Sequence, residues 1–251
     1  MVVARGLAPS RERAQMLIRN GCVQVDNVVS LKPSMPVAAD AVIAVTGEIM
    51  PYVSRGGVKL EAALRHFRIN VRGARCLDVG ASTGGFTDCL LQRGANRVYA
   101  IDVGYGQLDY KLRQDSRVVV MERVNAHHPF SMPEKVNIAT MDLSFISVTK
   151  VIPNLISHLA KPGYIIVLLK PQFEAERKEV GKGGIIKDPQ IHARVLARFI
   201  SWITQHDLRL RGLVTSPILG AEGNREFLIL LTPNQIGGGV ILKESRCNRD
   251  D

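Results

Sequence analysis

The stretch LDVGASTGGFT at 77–87 closes an apolar run and opens a helix-like pattern, a place where glycines let the backbone approach a ligand and exposed N–H groups face it. Gly80 is followed by Gly84 and Gly85, which departs from the G-x-G-x-x-G spacing of a dinucleotide fingerprint and disfavours a nicotinamide cofactor. Asp102 ends the next strand pattern, 22 residues beyond Gly80, and an ionised carboxylate at about that distance can accept both hydroxyls of an adenosine ribose. Asn125, just past the third strand pattern, is placed to contact the adenine. Four further residues fall at strand ends or adjoining loops: Lys59 in the helix before the first strand, Asp142 closing the fourth, Lys170 closing the fifth and Glu226 opening the last. Two lysines and two carboxylates can hold a hydroxyl and take its proton as it reacts. An ammonium beside other cations loses affinity for its proton, so Lys170 with Lys59 nearby is the expected base. Asp142 would steady it, and Lys59 with Glu226 would place the nucleophile.

These positions need a scaffold, and the apolar periodicity supplies one. Strands are predicted at 75–79, 97–102, 118–121, 136–142, 164–170, 208–215 and 227–231. Helices are predicted at 58–67, 85–93, 108–113, 148–159 and 190–206. Such alternation predicts an α/β, Rossmann-like domain with a seven-stranded, mostly parallel sheet wrapped by helices on both faces. Ahead of it, a helix at 11–19 with an Asn20-Gly21 stop precedes short strands at 22–26, 28–29 and 41–45, with Asp26-Asn27 as a turn, a small α+β module. The expected division is a module at 1–46, a linker at 47–53, the large domain at 54–233 and a flexible tail at 234–251.

Composition narrows the function classes. Among 251 residues the net charge is +10, which favours a polyanionic partner, yet residues 81–142 hold seven basic and seven acidic side chains, so the excess lies on either side of that segment. No apolar run approaches the roughly 20 residues of a membrane span, and the first fifteen residues, with early arginines, lack a signal-peptide pattern. Cys22, Cys76, Cys89 and Cys247 are scattered without C-x-x-C spacing and read as reduced thiols of a cytoplasmic chain with no metal site. At 5% aromatic content, base-stacking platforms are sparse, and recognition of folded RNA shape is the expectation.

The Gly80–Gly85 spacing after an acid is similar to the first motif of class I methyltransferases. With it stand VSRGGVKL at 53–60, DVGYGQ at 102–107, DLSFIS at 142–147, KPQFE at 170–174 and an N-terminal module resembling the alpha-L RNA-binding domain of ribosomal proteins and pseudouridine synthases. Together, over residues 1–232, they resemble the TlyA family, ribosomal RNA cytidine 2′-O-methyltransferases historically labelled hemolysins, with an FtsJ-type catalytic half. The resemblance implies S-adenosyl-L-methionine as cofactor and ribosomal RNA in assembled or assembling subunits as partner. It matches Lys59, Asp142, Lys170 and Glu226 to the family's catalytic Lys-Asp-Lys-Glu tetrad. Asp78, Gly80, Ala81, Ser82, Gly84, Gly85, Phe86, Asp102, Val103, Asn125 and Asp142 are the expected cofactor set. Arg5, Arg11, Arg13, Arg19 and Arg55 are the expected RNA contacts. Two other readings stand beside this one: a non-catalytic RNA-binding or assembly factor, and a membrane-active protein, as the hemolysin label suggests.

Overall fold

The computed structural model describes residues 1–234 apart from 20, 31, 47–50 and 221. In the N-terminal module α1 (Arg11–Arg19) packs over a three-stranded antiparallel sheet of β1 (Val23–Val25), β2 (Val28–Ser30) and β3 (Ile43–Val45), ordered β2-β1-β3. Asp26 and Asn27 both take positive φ, 50° and 66°, the backbone of a two-residue hairpin that short polar side chains tolerate. Ala14 and Leu17, one turn apart on α1, bury against Val2, Ala8 and Val23.

Of the expected linker, residues 47–50 and the predicted tail from 235 lie outside the described residues. Residues 51–53 belong to the large domain. Tyr52 and Val53 are buried, the Val53 N–H donates to Asp88 Oδ2 at 2.8 Å, and Gln92 Nε2 donates to the Pro51 carbonyl at 2.8 Å.

The large domain runs α2 (Arg55–His66), β4 (Arg75–Val79), α3 (Gly85–Gln92), β5 (Arg97–Asp102), α4 (Tyr110–Gln114), β6 (Val118–Glu122), β7 (Val136–Met141), α5 (Ile152–Ile156), β8 (Leu159–Leu169), α6 (Pro171–Glu174), α7 (Pro189–Gln205), β9 (Leu208–Thr215) and β10 (Phe227–Pro233). Its seven strands are ordered β6-β5-β4-β7-β8-β10-β9, with β10 antiparallel to both neighbours and the first five strands parallel. One face packs Val195, Phe199 and Ile203 of α7 and Ile152 and Leu155 of α5; the other packs Leu60 and Leu64 of α2 and Leu90 of α3. No helix among the described residues is long and apolar enough to cross a membrane.

Three elements differ from expectation. The helix begins at Arg55 rather than 58, because Ser54 is an extended N-cap and the Tyr52 ring packs where a side chain on Gly57 would stand. The helix expected at 148–159 is a 3-10 turn (Val148–Lys150) followed by α5, since Pro153 lacks an N–H and is accommodated only in a first turn. Strand β8 starts at Leu159, five residues earlier than predicted.

Asp78 sits in the middle layer of this scaffold, fully buried in β4, where Thr87 Oγ1 of α3 donates to it at 2.7 Å and Thr140 Oγ1 of β7 at 3.0 Å. Burial pushes its carboxyl from 3.8 up to about 6, only partly offset by the two hydroxyls and further raised by Asp142. Below 3.8 the group is protonated in folded and unfolded chains alike. Between there and about 6 the unfolded chain ionises first, so Asp78 subtracts stability as pH rises, reaching about 3 kcal/mol above the window. Thermal unfolding of Asp78→Asn and wild type near pH 4 and near pH 7.5 tests this. The variant gains on the wild type by roughly that amount at the higher pH, and an equal difference at both values would refute the burial effect.

Candidate active site

The carboxyl ends of β4, β7 and β8 meet the amino end of β10 and the first turns of α2, and the opening between them is a cleft of about 390 Å³. It is lined by Lys59, Asp142, Lys170 and Glu226 together with Gly80, Ala81, Ser82, Gly85, Phe86 and Arg55. The four charged residues named from sequence therefore share one site. They stand as two pairs. Lys59 Nζ donates to Glu226 Oε2 at 2.5 Å, with side chains only 9% and 3% exposed. Lys170 Nζ lies 2.7 Å from Asp142 Oδ1 as an ion pair without hydrogen-bond alignment, and its hydrogen bond goes to Ser144 Oγ at 3.0 Å. The electrostatics differ from the expectation of one lysine perturbed by another, because each ammonium has its own carboxylate.

The glycine turn is built for close approach. Gly80 has φ +81°, and a Cβ there would stand 2.5 Å from the Asp142 carbonyl oxygen, so the β4 end can lie against the β7 end only without a side chain. The Gly80 N–H donates to Ile101 O, and the Asp142 N–H to Val79 O, which knits three strand ends together. On the neighbouring strand, Asp102 accepts from the Ser82 N–H at 2.8 Å and the Gly104 N–H at 2.7 Å, one on each oxygen. Each oxygen keeps a lone pair for a further donor, which suits a ribose diol. The recess beside it, walled by Ala100, Gln107, Leu108 and Val120, holds only about 10 Å³. An adenosine there requires the exposed 103–107 loop to yield.

Several expected contacts fall elsewhere. Asp78 does not reach the cleft; its carboxylate is spent on Thr87 and Thr140 beneath the turn. Gly84, at φ +99°, turns its Cβ position toward Leu108 and Leu112, where its role is packing on α4. Val103 is 70% exposed and outside the cleft walls. Asn125 is exposed and accepts from the His127 N–H at 3.1 Å, also away from those walls. Arg5 is engaged within its own module, donating to the carbonyls of Ala41 and Ala39 at 2.6 Å each, so it braces the module's loop. Arg11 is exposed; the side chains of Arg13 and Arg19 lie outside the described residues.

Sequence reasoning missed two residues beside the cleft. Phe145 is 91% exposed, holds φ +65° and meets the Phe173 ring at 5.1 Å with the two planes tilted by 51°. In a chain so poor in aromatics, an aromatic in the loop after a strand-end Asp is the signal that could have found it. Glu174 accepts from Ser147 Oγ at 2.6 Å and the Val148 N–H at 2.8 Å, tying the Asp142 loop to the helix that follows Lys170. Burial raises its carboxyl, with Ser147 and Val148 pulling the other way.

The FtsJ-like methyltransferase family matches residues 52–232, and the S4 domain matches residues 1–43. The 16S/23S rRNA (cytidine-2′-O)-methyltransferase TlyA of Mycobacterium tuberculosis is 45% identical over 92% of this chain and 87% of that one. Hemolysin A of Brachyspira hyodysenteriae is 44% identical over 90% and 95%. A solved Streptococcus thermophilus structure with a hemolysin label superposes with TM-score 0.75 at 39% identity, covering 93% of this chain and 86% of that one. An S-adenosylmethionine-dependent methyltransferase from Mesorhizobium loti, 14% identical over 68% of this chain and 96% of that one, shares the fold with TM-score 0.51. The chain belongs to the TlyA family, an S4 domain joined to an FtsJ-like, S-adenosylmethionine-dependent methyltransferase domain.

Proposed function

We propose that this protein methylates the 2′-hydroxyl of a cytidine in ribosomal RNA of assembled or assembling subunits, in the cytoplasm, with Lys59, Asp142, Lys170 and Glu226 as the catalytic group. The observation that carries this reading is the convergence of two lysine–carboxylate pairs and the glycine turn on one cleft. S-adenosylmethionine supplies an electrophilic methyl group on a sulfonium. The backbone from Gly80 to Gly85, with Ala81, Ser82 and Phe86, would hold it, and Asp102 would take the ribose hydroxyls.

A ribose hydroxyl is a poor nucleophile until its proton has somewhere to go. Lys170 Nζ donates to Ser144 Oγ and stands in ion-pair contact with Asp142 without hydrogen-bond alignment. In the paired resting state Lys170 is an ammonium, so it would first give a proton to solvent; the amine would then accept the hydroxyl proton as the oxygen takes the methyl group, and Asp142 balances the ammonium that re-forms. Lys59, clamped by Glu226, fixes the other side of the nucleophile, and orientation of this kind contributes about 7–11 kcal/mol in favourable cases. A catalytically silent RNA-binding factor would give no use to a buried ion pair whose desolvation is costly. The module at 1–46 and Arg55 at the cleft rim would hold the RNA, and Phe145 would stack on a base next to the target.

Lys170→Ala is expected to lower methyl transfer into purified ribosomal subunits by roughly 10²–10⁴-fold while leaving cofactor binding and fold intact; a folded variant as active as the parent would sink the proposed base. Glu226→Gln leaves Lys59 buried without a counter-ion and costs about 3 kcal/mol in denaturant unfolding. The joint Lys59→Met/Glu226→Leu variant regains most of that stability and stays inactive; methyl transfer in the joint variant would make the pair merely structural. Phe145→Ala raises KM for subunits roughly 10-fold at unchanged kcat, on the scale of one lost stacking contact. An unchanged KM argues against stacking.

A further inference from the structure

At the opposite edge of the sheet from the cleft lies a second concavity, about 590 Å³, where the amino end of β8 meets β9 and the carboxyl end of β10. Lys161, Arg209 and Arg211 stand in its walls, all three exposed. Arg209 and Arg211 both line the concavity from the outermost strand, Arg211 at a bulge in its pairing with β10, while Leu208 and Leu210 pack against the core beneath α7. None of the three cations is in an ion pair among the described residues, whereas Arg75, Arg93, Arg113, Arg117, Arg194 and Arg198 all are. The nearest acid in sequence, Asp207, is not part of the walls. The Phe67 ring, at the C-cap of α2, fills the space over Gly212 of β9.

Charge on the edge strand β9 keeps that edge from pairing with another chain, a role that needs neither a concavity nor three cations together. Unpaired guanidinia on a strand edge neither bury nor brace anything; they are suited to bidentate contact with phosphates. The location also defines what the contact would be for. Lys161 lies in the 160–163 turn at the start of β8, where the pairing with β7 jumps from Leu159 to Tyr164, and Lys170 lies just past the far end of the regularly paired run, which is about 20 Å of strand. No nucleotide in the cleft reaches this concavity, so an RNA touching both must be large and folded. We propose that this basic groove is a second RNA-binding surface on the catalytic domain, taking backbone phosphates of the structured substrate at the opposite end of β8 from the methylated ribose. The proposal rests on the ribosomal RNA reading for its partner, and on the groove alone for its chemistry.

The test compares wild type, Arg209→Gln/Arg211→Gln, and a control with two exposed lysines removed from the far side of the sheet, Lys111→Gln/Lys135→Gln. Methyl transfer is followed against subunit concentration at several salt concentrations. The groove variant is expected to raise KM on the order of 10-fold and to reduce the slope of log KM against log salt by about 2, one for each lost phosphate contact. Its kcat and its affinity for S-adenosylmethionine stay unchanged, and the control stays near wild type. A groove variant that matches the control in KM and slope overturns the proposal. So does one that loses only binding to phosphatidylglycerol vesicles, which would assign the groove to a membrane surface. Should the wild type methylate neither subunit, the functional reading fails. The groove is then judged by filter binding of the same subunits, where the same loss supports it and its absence overturns it.

Discussion

Lys59 and Glu226 stand 167 residues apart in the chain and meet at 2.5 Å almost out of water. One comes from the first helix of the catalytic domain and the other from the mouth of its last strand, so the contact closes the domain on itself across the cleft. Removing two charges from water costs several kcal/mol per ion, and an apolar pair of similar volume would hold the same elements at less expense. What the ionic pair adds is intolerance of displacement: if α2 slides along the sheet, both charges are left buried and unmatched. The first turns of α2, with Arg55 and Lys59, are thereby held at a fixed distance from the strand ends that carry Asp142 and Lys170. Since the second pair also balances itself, the four side chains sum to no net charge. A cleft of that kind orients a hydroxyl without acting as a general sink for anions, and the grip on a polyanion falls to surfaces where cations have no carboxylate beside them.

The strand ends owe their rigidity to the switch in strand order between β4 and its two neighbours, where connections leave in opposite directions and a crevice opens at the carboxyl edge. Gly80 and Asp142 border that crevice from adjacent strands and touch through backbone. Asp78, one layer below, reaches both α3 and β7 through threonine hydroxyls. The buried carboxylate is a stability cost carried beneath the turn, and it is tolerated because no apolar residue could make both hydroxyl contacts and hold the helix start in register with the strand end.

Much of this was legible in sequence because it is local. Glycine spacing, strand periodicity and the position of a charged residue at a strand end are all written within a dozen residues, and the strands at 75–79, 97–102 and 208–215 match their predicted bounds. What stayed hidden depends on partners far away. Asp78 looks like a ligand residue until Thr140, 62 positions on, is seen to donate to it within the core. Arg5 looks like a free guanidinium until the carbonyls at 39 and 41 claim it. Asp142 is expected beside Lys170, but Lys59 reads as that lysine's neighbour, and only the tertiary fold shows it bound to Glu226. The basic groove was invisible for the same reason: Lys161, Arg209 and Arg211 become one feature only when β10 inserts between β8 and β9 and brings the ends of the three strands together.

The loop that follows Asp142 shows how a mobile type of segment is made precise. Surface loops ordinarily open at little cost, yet this one is laced to the segment after β8 at four successive points. Asp142 and Ser144 take Lys170, Phe145 lies on Phe173, and Ser147 with the Val148 N–H takes Glu174. The partners keep the same order along both segments, so they close like the teeth of a zip. The left-handed backbone at Phe145, unfavourable for a bulky residue, is the point at which the lacing exacts strain. The outcome is an aromatic ring projected almost fully into solvent against Phe173, whose own ring lies 6.0 Å from the Nζ of the lysine that would take the proton. Glu174 is central to the clasp, since a buried carboxylate with raised proton affinity holds its two donors only while they are present to offset its desolvation. Positioning of Lys170 and presentation of Phe145 are therefore one structural event, and a substrate base that engages the ring meets a nucleophile site already set.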